Sequence, residues 1–299
     1  MLNALDDVSL TLLPGETVGV VGETGSGKST LGKAILGLLP RNARLQGRVL
    51  FRGKDLTILD DESLRQLRGK DIALIFQDPM TRLNPLLTIE DHFIEAIRSH
   101  ETVSRDEARA RARAALMSMG IPESRMKNFP HEFSGGMRQR IMIALALVMR
   151  PSVLIADEPT TSLDVIVEAQ ILEILEDLRR AYEMALLLIT HNLGIVAEAC
   201  DRVAVLYAGK VAETGSVQDI FKRPIHPYTQ GLLKSVIHLD TKALSSIEGS
   251  PPDLVDPPPG CRFHPRCPYA QEICIREVPA LIEYRKGQLA ACHFGKDFV

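Results

Sequence analysis

Short uninterrupted apolar runs alternate along this chain with stretches whose apolar residues recur every three or four positions. Thr17-Val18-Gly19-Val20-Val21 is the first run, and Arg48–Phe51, Ile72–Phe76, Val153–Ala156, Ala185–Ile189 and Val203–Tyr207 follow. Runs of that length, bounded by polar or turn residues, predict strands of a parallel sheet covered on both faces. Leu31 to Leu39 and Arg105–Met119 carry helical spacing instead. Ser104-Arg105-Asp106-Glu107 is a capping box at the start of the second, and Gly120 closes it. From about Thr88 to Arg150 the pattern is mostly helical, which predicts a helical subdomain inserted into an α/β core. Within it Arg105, Arg109 and Arg113 recur every four residues and read as a solvated helix face.

Past Phe221 the texture changes. The stretch from Gly249 to Gly260 is rich in Pro and Gly and reads as a stiff linker without a regular ladder. After it come Cys261, Cys267, Cys274 and Cys292, spaced C-x₅-C-x₆-C-x₁₇-C, while Cys200 stands apart as a small buried hydrophobe. The chain of 299 residues is 45% apolar and 24% charged, which suits a globular fold. A net charge of −3 argues against nucleic-acid binding through bulk electrostatics. No apolar run approaches the ~20 residues that span a bilayer. The first residues lack the basic and apolar regions of a signal peptide, so a cytosolic placement is expected. In a reducing compartment structural disulfides are disfavoured, and the four clustered cysteines point to metal or redox chemistry.

The candidate chemistry starts at Gly22-Glu23-Thr24-Gly25-Ser26-Gly27-Lys28-Ser29, with Thr30 next. This segment fits G-x-x-x-x-G-K-[ST] between a strand and a helix. Its glycines let successive backbone N–H groups curl round a phosphate, and the following helix points its positive end at the same anion. Lys28 adds a charge for the outer phosphates, and Ser29 offers a hydroxyl to Mg²⁺. Val153-Leu154-Ile155-Ala156-Asp157 is an apolar strand ending in an acid, which presents Asp157 at the carboxyl edge of the sheet as a second Mg²⁺ ligand. Glu158 comes next, faces differently, and can polarise an attacking water.

Further motifs carry a family resemblance. Phe133-Ser134-Gly135-Gly136-Met137-Arg138-Gln139-Arg140 resembles the signature motif of ABC ATPases, and Leu154 to Thr160 follows at the expected short distance. Ser162-Leu163-Asp164 resembles their D-loop, Ile189-Thr190-His191 their switch histidine, and Phe76-Gln77-Asp78-Pro79 their Q-loop. The resemblance implies a P-loop NTPase fold of ABC type with an inserted helical subdomain. It implies two subunits stacked head to tail, so that the Lys28 loop of one and Ser134, Gly135 and Gly136 of the other close on one ATP. Ser134, Gly135 and Gly136 precede the apolar helix Ile141–Met149, and their N–H groups form a second anion site. His191 is then expected to hydrogen-bond the γ-phosphate, Gln77 to join the Mg²⁺ and water shell, and Asp164 to sit at the subunit contact. Met137 stands where the family more often has Gln; backbone N–H groups hold the phosphate, so activity is expected regardless. Family members begin with an extra strand pair and an aromatic residue that stacks on adenine. Here Asn3 to Leu10 resembles the segment just after that aromatic, and a late start is expected.

Gln77 to Pro85, His226-Pro227-Tyr228-Thr229-Gln230-Gly231-Leu232-Leu233 and Gly260 to Ala270 resemble the ATPases of dipeptide, oligopeptide and nickel importers. The domains expected are 1–222 for the ATPase (helical subdomain about 88–150), 223–260 for a helix and linker, and 261–299 for the cysteine-bearing extension. The implied role is to power a permease importing peptides, with nickel or another small solute as the alternative cargo. Implied partners are a second, similar but different ATPase chain, two permease subunits and an external solute-binding protein, with the ATPase on the cytoplasmic membrane face. A soluble, non-transport ABC ATPase is the rival; the absence of heptads and of a second site set speaks against it. Four thiolates suit a [4Fe–4S] cluster or a Cys₄ zinc site, and no C-x₂-C pair favours zinc. Related tails in the resembled family bind a [4Fe–4S] cluster, which is the expectation for Cys261, Cys267, Cys274 and Cys292. His264 and His293 stand near and could replace one ligand, but loop histidines are the favoured reading; free or oxidised thiols are the remaining alternative for the cysteines.

Overall fold

Most of the apolar runs become buried strands, and the periodic stretches between them become helices; the run Arg48–Phe51 instead leaves only Leu50–Phe51 as a partly exposed strand, paired antiparallel with Lys54–Asp55. The computed structural model describes residues 2–77, 82–160, 164–235 and 247–299. In chain order come β1 (Thr17–Val21), α1 (Lys28–Ile35), β2 (Leu50–Phe51), β3 (Lys54–Asp55), α2 (Asp61–Leu67) and β4 (Ile72–Ile75). Three helices follow, α3 (Ile89–Arg98), α4 (Arg105–Ser118) and α5 (Gly135–Leu147). Then come β5 (Val153–Asp157), α6 (Val165–Tyr182), β6 (Ala185–Ile189), α7 (Leu193–Ala199), β7 (Arg202–Tyr207) and β8 (Lys210–Ser216). The chain closes with α8 (Val217–Lys222), α9 (Pro227–Lys234), α10 (Glu272–Arg276), β9 (Ile282–Arg285) and β10 (Gln288–Ala290). Two compact units form, one of Met1–Leu12, Glu16–Leu31 and Leu188–Val299, the other of Leu13–Gly15 and Gly32–Leu187.

In the first unit β1 pairs in parallel with β7, from Val18 opposite Arg202 to Val21 opposite Val205. β7 pairs antiparallel with β8. The cysteine-bearing extension then adds two strands that the sequence pattern does not announce: β10 joins β8 antiparallel, and β9 joins β10. Buried Glu213 of β8 fastens this junction. Its carboxylate accepts from the Ile225 and His226 N–H groups and from Gln288 Nε2 of β10, each at 2.9 Å. These three donors satisfy a desolvated carboxylate that would otherwise be costly. Tyr207, Tyr228 and Phe263 pack with ring centroids 4.5, 5.2 and 5.4 Å apart, joining α9 and the extension to β7.

In the second unit β4 pairs in parallel with β5, from Ile72 opposite Val153 to Ile75 opposite Ala156. α3, α4 and α5 pack on one another, and α5 also packs on β4. Ser104 caps α4 as its sequence requires, accepting from the Glu107 N–H. The arginine row of α4 is a solvated face, as expected, and carries ion pairs. Arg105 pairs with Asp91 at 2.7 Å, Arg109 with Glu90 at 2.7 Å, and Arg113 with Glu123 at 3.3 Å, so each reaches an acid on a neighbouring segment. The helix after the phosphate loop is displaced from its expected span. It starts at Lys28 and stops at Ile35 because Gly37, at φ +63, supplies a left-handed cap. The Leu38 N–H then donates to the Lys33 carbonyl and the Gly37 N–H to the Ala34 carbonyl.

His226 caps α9 through Nδ1, which accepts from the Tyr228 N–H at 3.0 Å, and burial holds its pKa down to about 4. The folded state therefore binds no proton where the unfolded ring, at about 6.5, binds one. Stability is full above pH ~6.5 and falls toward pH 4, by on the order of 3 kcal/mol at the lower end. Urea unfolding followed across that window should show this slope, and His226→Asn, which can still cap, should flatten it relative to wild type.

Candidate active site

The phosphate-binding segment is shaped by main chain behind it. β1 ends at Val21, and Gly22 follows at φ +150, where a Cβ would collide with the Leu206 carbonyl oxygen of β7. Only glycine fits that position. The Ser26 N–H closes the turn onto the Glu23 carbonyl at 3.1 Å, and the Gly209 N–H holds the Ser26 carbonyl at 2.9 Å. Lys28, the first residue of α1 and 7% exposed, folds back so that Nζ donates to the Gly22 carbonyl at 2.7 Å and the Glu23 carbonyl at 3.0 Å. A cation thus sits over the loop that opens a helix, and the two positive potentials add. The Ser26 hydroxyl is buried and has no hydrogen-bond partner among the described residues. Orphaned hydroxyl, lysine and helix start fit a phosphate ligand.

His191 lies in the same unit, just past the end of β6. The Thr190 N–H donates to the Val20 carbonyl at 3.2 Å, so the segment carrying His191 departs beside the strand that feeds the phosphate loop. His191 is exposed and does not cap α7. That task falls to Asn192, whose side chain accepts from the Gly194 and Ile195 N–H groups.

In the second unit three polar residues gather at one sheet edge. Asp157 is the last residue of β5 and 4% exposed. Glu158 takes φ +51, a left-handed backbone uncommon for a residue with a Cβ, so the chain turns sharply after Asp157. Because Ile75 stands opposite Ala156, Gln77 leaves β4 at the level where Glu158 leaves β5. Asp78 to Thr81 and Ser162-Leu163 lie outside the described residues. Asp164 caps α6 by accepting from the Val167 N–H at 2.9 Å. Next to it Val165 and Ile166 are 78% and 73% exposed, an apolar step left open among the described residues.

Ser134 caps α5, its hydroxyl accepting from the Met137 N–H at 3.3 Å. The helix therefore begins at Gly135, earlier than the apolar run Ile141–Met149 alone implies. A Cβ placed on Gly135 would meet nothing within 4 Å, so no contact within the chain requires a glycine there. Gln139 of α5, 3% exposed, donates from Nε2 to the Pro159 carbonyl. That bond ties the helix headed by Ser134 to the turn after Glu158, a role that the sequence does not announce.

The four clustered cysteines meet in the first unit. Cys261, Cys267, Cys274 and Cys292 line one small pocket with Phe263 and Phe294. Burial pushes the Cys261 and Cys292 thiols up to about 11 and raises Cys267, and the neighbouring thiols add to each shift. Buried thiols of this kind stay protonated unless a cation compensates them. Among the described residues, however, no three His, Cys, Asp or Glu side chains are placed so that they could hold a metal ion. The expected metal site on these four cysteines is not supported by this geometry; they share a pocket without forming a coordination shell.

Residues 5–161 match the ABC transporter family, and residues 212–274 match the C-terminal region of oligopeptide and dipeptide transporters. The chain belongs to the ABC transporter family. It is 51% identical over 284 residues to the dipeptide transport ATP-binding protein DppD of Bacillus subtilis, covering 93% of this chain and 85% of that protein. It is 47% identical over 295 residues to the oligopeptide transport ATP-binding protein OppD of Salmonella typhimurium, covering 97% and 88%. A dimeric ATP-binding cassette solved in a post-hydrolysis state with ADP and phosphate superposes with a TM-score of 0.65 at 30% identity, over 72% of this chain and 90% of that one. The α/β fold and the ATPase activity follow from this membership. No helix among the described residues is long and apolar enough to cross a membrane.

Gly22→Ala in this ABC ATPase should force the loop off the Leu206 carbonyl. We expect a stability loss of roughly 1–3 kcal/mol and loss of MgATP binding. Thermal melts and equilibrium binding check both, and wild-type values for the pair would refute the loop's described packing.

Proposed function

We propose that this ABC ATPase powers a permease that moves peptides inward, pairing head to tail with a similar but different ATPase chain at the cytoplasmic face of the membrane. Two permease subunits and an external solute-binding protein complete the proposed assembly. The observation that carries the reading is the coexistence, in one chain, of the ABC match over residues 5–161 and the oligopeptide/dipeptide transporter match over residues 212–274. The relatives' printed names, dipeptide and oligopeptide transport ATP-binding proteins, support the same cargo class.

In this reading the loop from Gly22 to Thr30 surrounds the phosphates; Lys28 and the N–H groups beyond Glu23, whose own N–H is taken by Tyr228, hold the β- and γ-phosphates. Ser29, Asp157 and Gln77 would hold Mg²⁺, which supplies charge neutralisation on the β- and γ-phosphate oxygens. Glu158 orients the attacking water and accepts its proton, and His191 donates to the γ-phosphate. Ser134, Gly135 and Gly136 offer the start of α5 to the phosphate held by the partner ATPase. The open space at Gly135 supports this role, since it leaves room for a phosphate to approach the backbone there. The exposed Val165-Ile166 step beside Asp164 supports burial against a partner. A [4Fe–4S] cluster on Cys261, Cys267, Cys274 and Cys292 is the finer reading of the cysteine pocket; it rests on the four cysteines lining one pocket and would require their thiols to converge on the metal. Iron and acid-labile sulfide assays on anaerobically purified protein test it; finding neither would discard it.

The assembled transporter in lipid vesicles tests the main reading. ATP-driven uptake of di- and oligopeptides is expected; uptake of a nickel chelate with no peptide uptake would reassign the cargo. Glu158→Gln should cut hydrolysis by about 10²–10⁴-fold while retaining bound ATP, and undiminished turnover would exclude Glu158 as the base. Gly135→Ala should melt no lower than wild type yet lose roughly 10²-fold in turnover. Normal turnover in that variant would remove Gly135 from the phosphate site.

A further inference from the structure

The C-terminal extension reaches the phosphate loop through the side chain of Arg266. Arg266, one residue before Cys267, is 5% exposed and grips the Glu23 carboxylate with both arms of its guanidinium. Nη1 lies 2.6 Å from Oε2 and Nη2 3.0 Å from Oε1. The arginine is itself held in place. Nε donates to the Glu248 carbonyl at 2.8 Å, Nη2 to the Ile247 carbonyl at 3.2 Å, and Nη1 to the Tyr207 hydroxyl at 3.3 Å. Such a fixed fork is the strong form of an ion pair, unlike a mobile surface bridge.

Glu23 is the second residue of the phosphate loop, and each of its polar groups has a partner. Its N–H donates to the hydroxyl of fully buried Tyr228 at 2.9 Å. Its carbonyl accepts from the Ser26 N–H at 3.1 Å and from Lys28 Nζ at 3.0 Å. Its carboxylate is taken by Arg266. The C-terminal extension thus fixes Glu23, and Glu23 in turn fixes one of the two carbonyls that hold Lys28. A carboxylate at this point would repel a triphosphate unless an opposite charge offset it.

We propose that Arg266, assisted by Tyr228, is a positioning residue for ATP. It neutralises Glu23 and turns it outward onto the extension, leaving the later N–H groups of the loop and Lys28 for the phosphates. The inference rests on the reading of this loop as the ATP site, and Lys28→Ala tests that reading separately. If Lys28→Ala leaves MgATP affinity intact, the site assignment fails before Arg266 is in question.

The test measures MgATP affinity of the full chain and KM and kcat of the assembled transporter. Arg266→Met should weaken ATP affinity and raise KM by about tenfold, the size of a coupled charge pair, with a smaller change in kcat. Adding Glu23→Gln should restore both to within about threefold of wild type, because the charge that needed offsetting is gone. The Arg266→Met defect should also shrink as salt is raised. A merely structural arginine would be neither rescued by Glu23→Gln nor relieved by salt. Unchanged affinity in Arg266→Met, or a double variant as weak as the single one, overturns the proposal. Should Arg266→Met fail to fold, Glu23→Gln alone decides. It should bind ATP at least as tightly as wild type, and a tenfold loss overturns the proposal.

Discussion

An anion-binding loop works only if its N–H groups keep one orientation whether or not the anion is present. Here main chain enforces that orientation from behind. The Leu206 carbonyl backs Gly22, the Ala4 carbonyl backs Gly27, and the Gly209 N–H holds the Ser26 carbonyl. Each contact forbids a side chain or fixes a peptide plane, so the loop's shape follows from β7, the turn after it and the N-terminal segment. Lys28 and the start of α1 then place positive potential where the loop opens. The Glu23 anchoring by Arg266 and Tyr228 adds a second constraint from the other side of the sequence.

The second unit solves a different problem. A parallel strand pair delivers polar residues to its carboxyl edge, and the first turn beyond each strand decides where they face. Glu158 leaves β5 in a left-handed conformation that costs energy and persists because its surroundings hold it, and Gln139 of α5 binds the next carbonyl along. That hydrogen bond joins α5, which Ser134 caps, to the turn that carries Glu158.

Much of this was legible in the chain because the relevant rules are local. A strand, a glycine-bearing loop and a lysine at fixed spacing leave the backbone one shape, and apolar runs ending in polar residues located β4, β5 and β6 to within a residue or two. Local rules also explain the errors. Leu38 and Leu39 prolong the helical pattern beyond α1, but Gly37 ends the helix first. The arginines of α4 are solvated as expected, but their pairing with Glu90, Asp91 and Glu123 of other segments is not visible in the local pattern. β9 and β10 are short and only half apolar, and their pairing with β8 is decided by Glu213 and Gln288. Arg266 and Glu23 stand 243 residues apart, beyond the reach of any pattern. The cysteines share a pocket, as their clustering in the chain suggested, but spacing carries no information about ligand geometry.

The central claim is that this chain supplies two complementary anion sites, one at Lys28 and one at Ser134, which serve ATP only when two ATPase subunits face each other. The most direct measurement is a structure of the nucleotide-loaded transporter. The account predicts the N–H groups after Ser134 against the γ-phosphate bound by the opposite subunit's loop. A Ser134 turn remote from every bound triphosphate would contradict it.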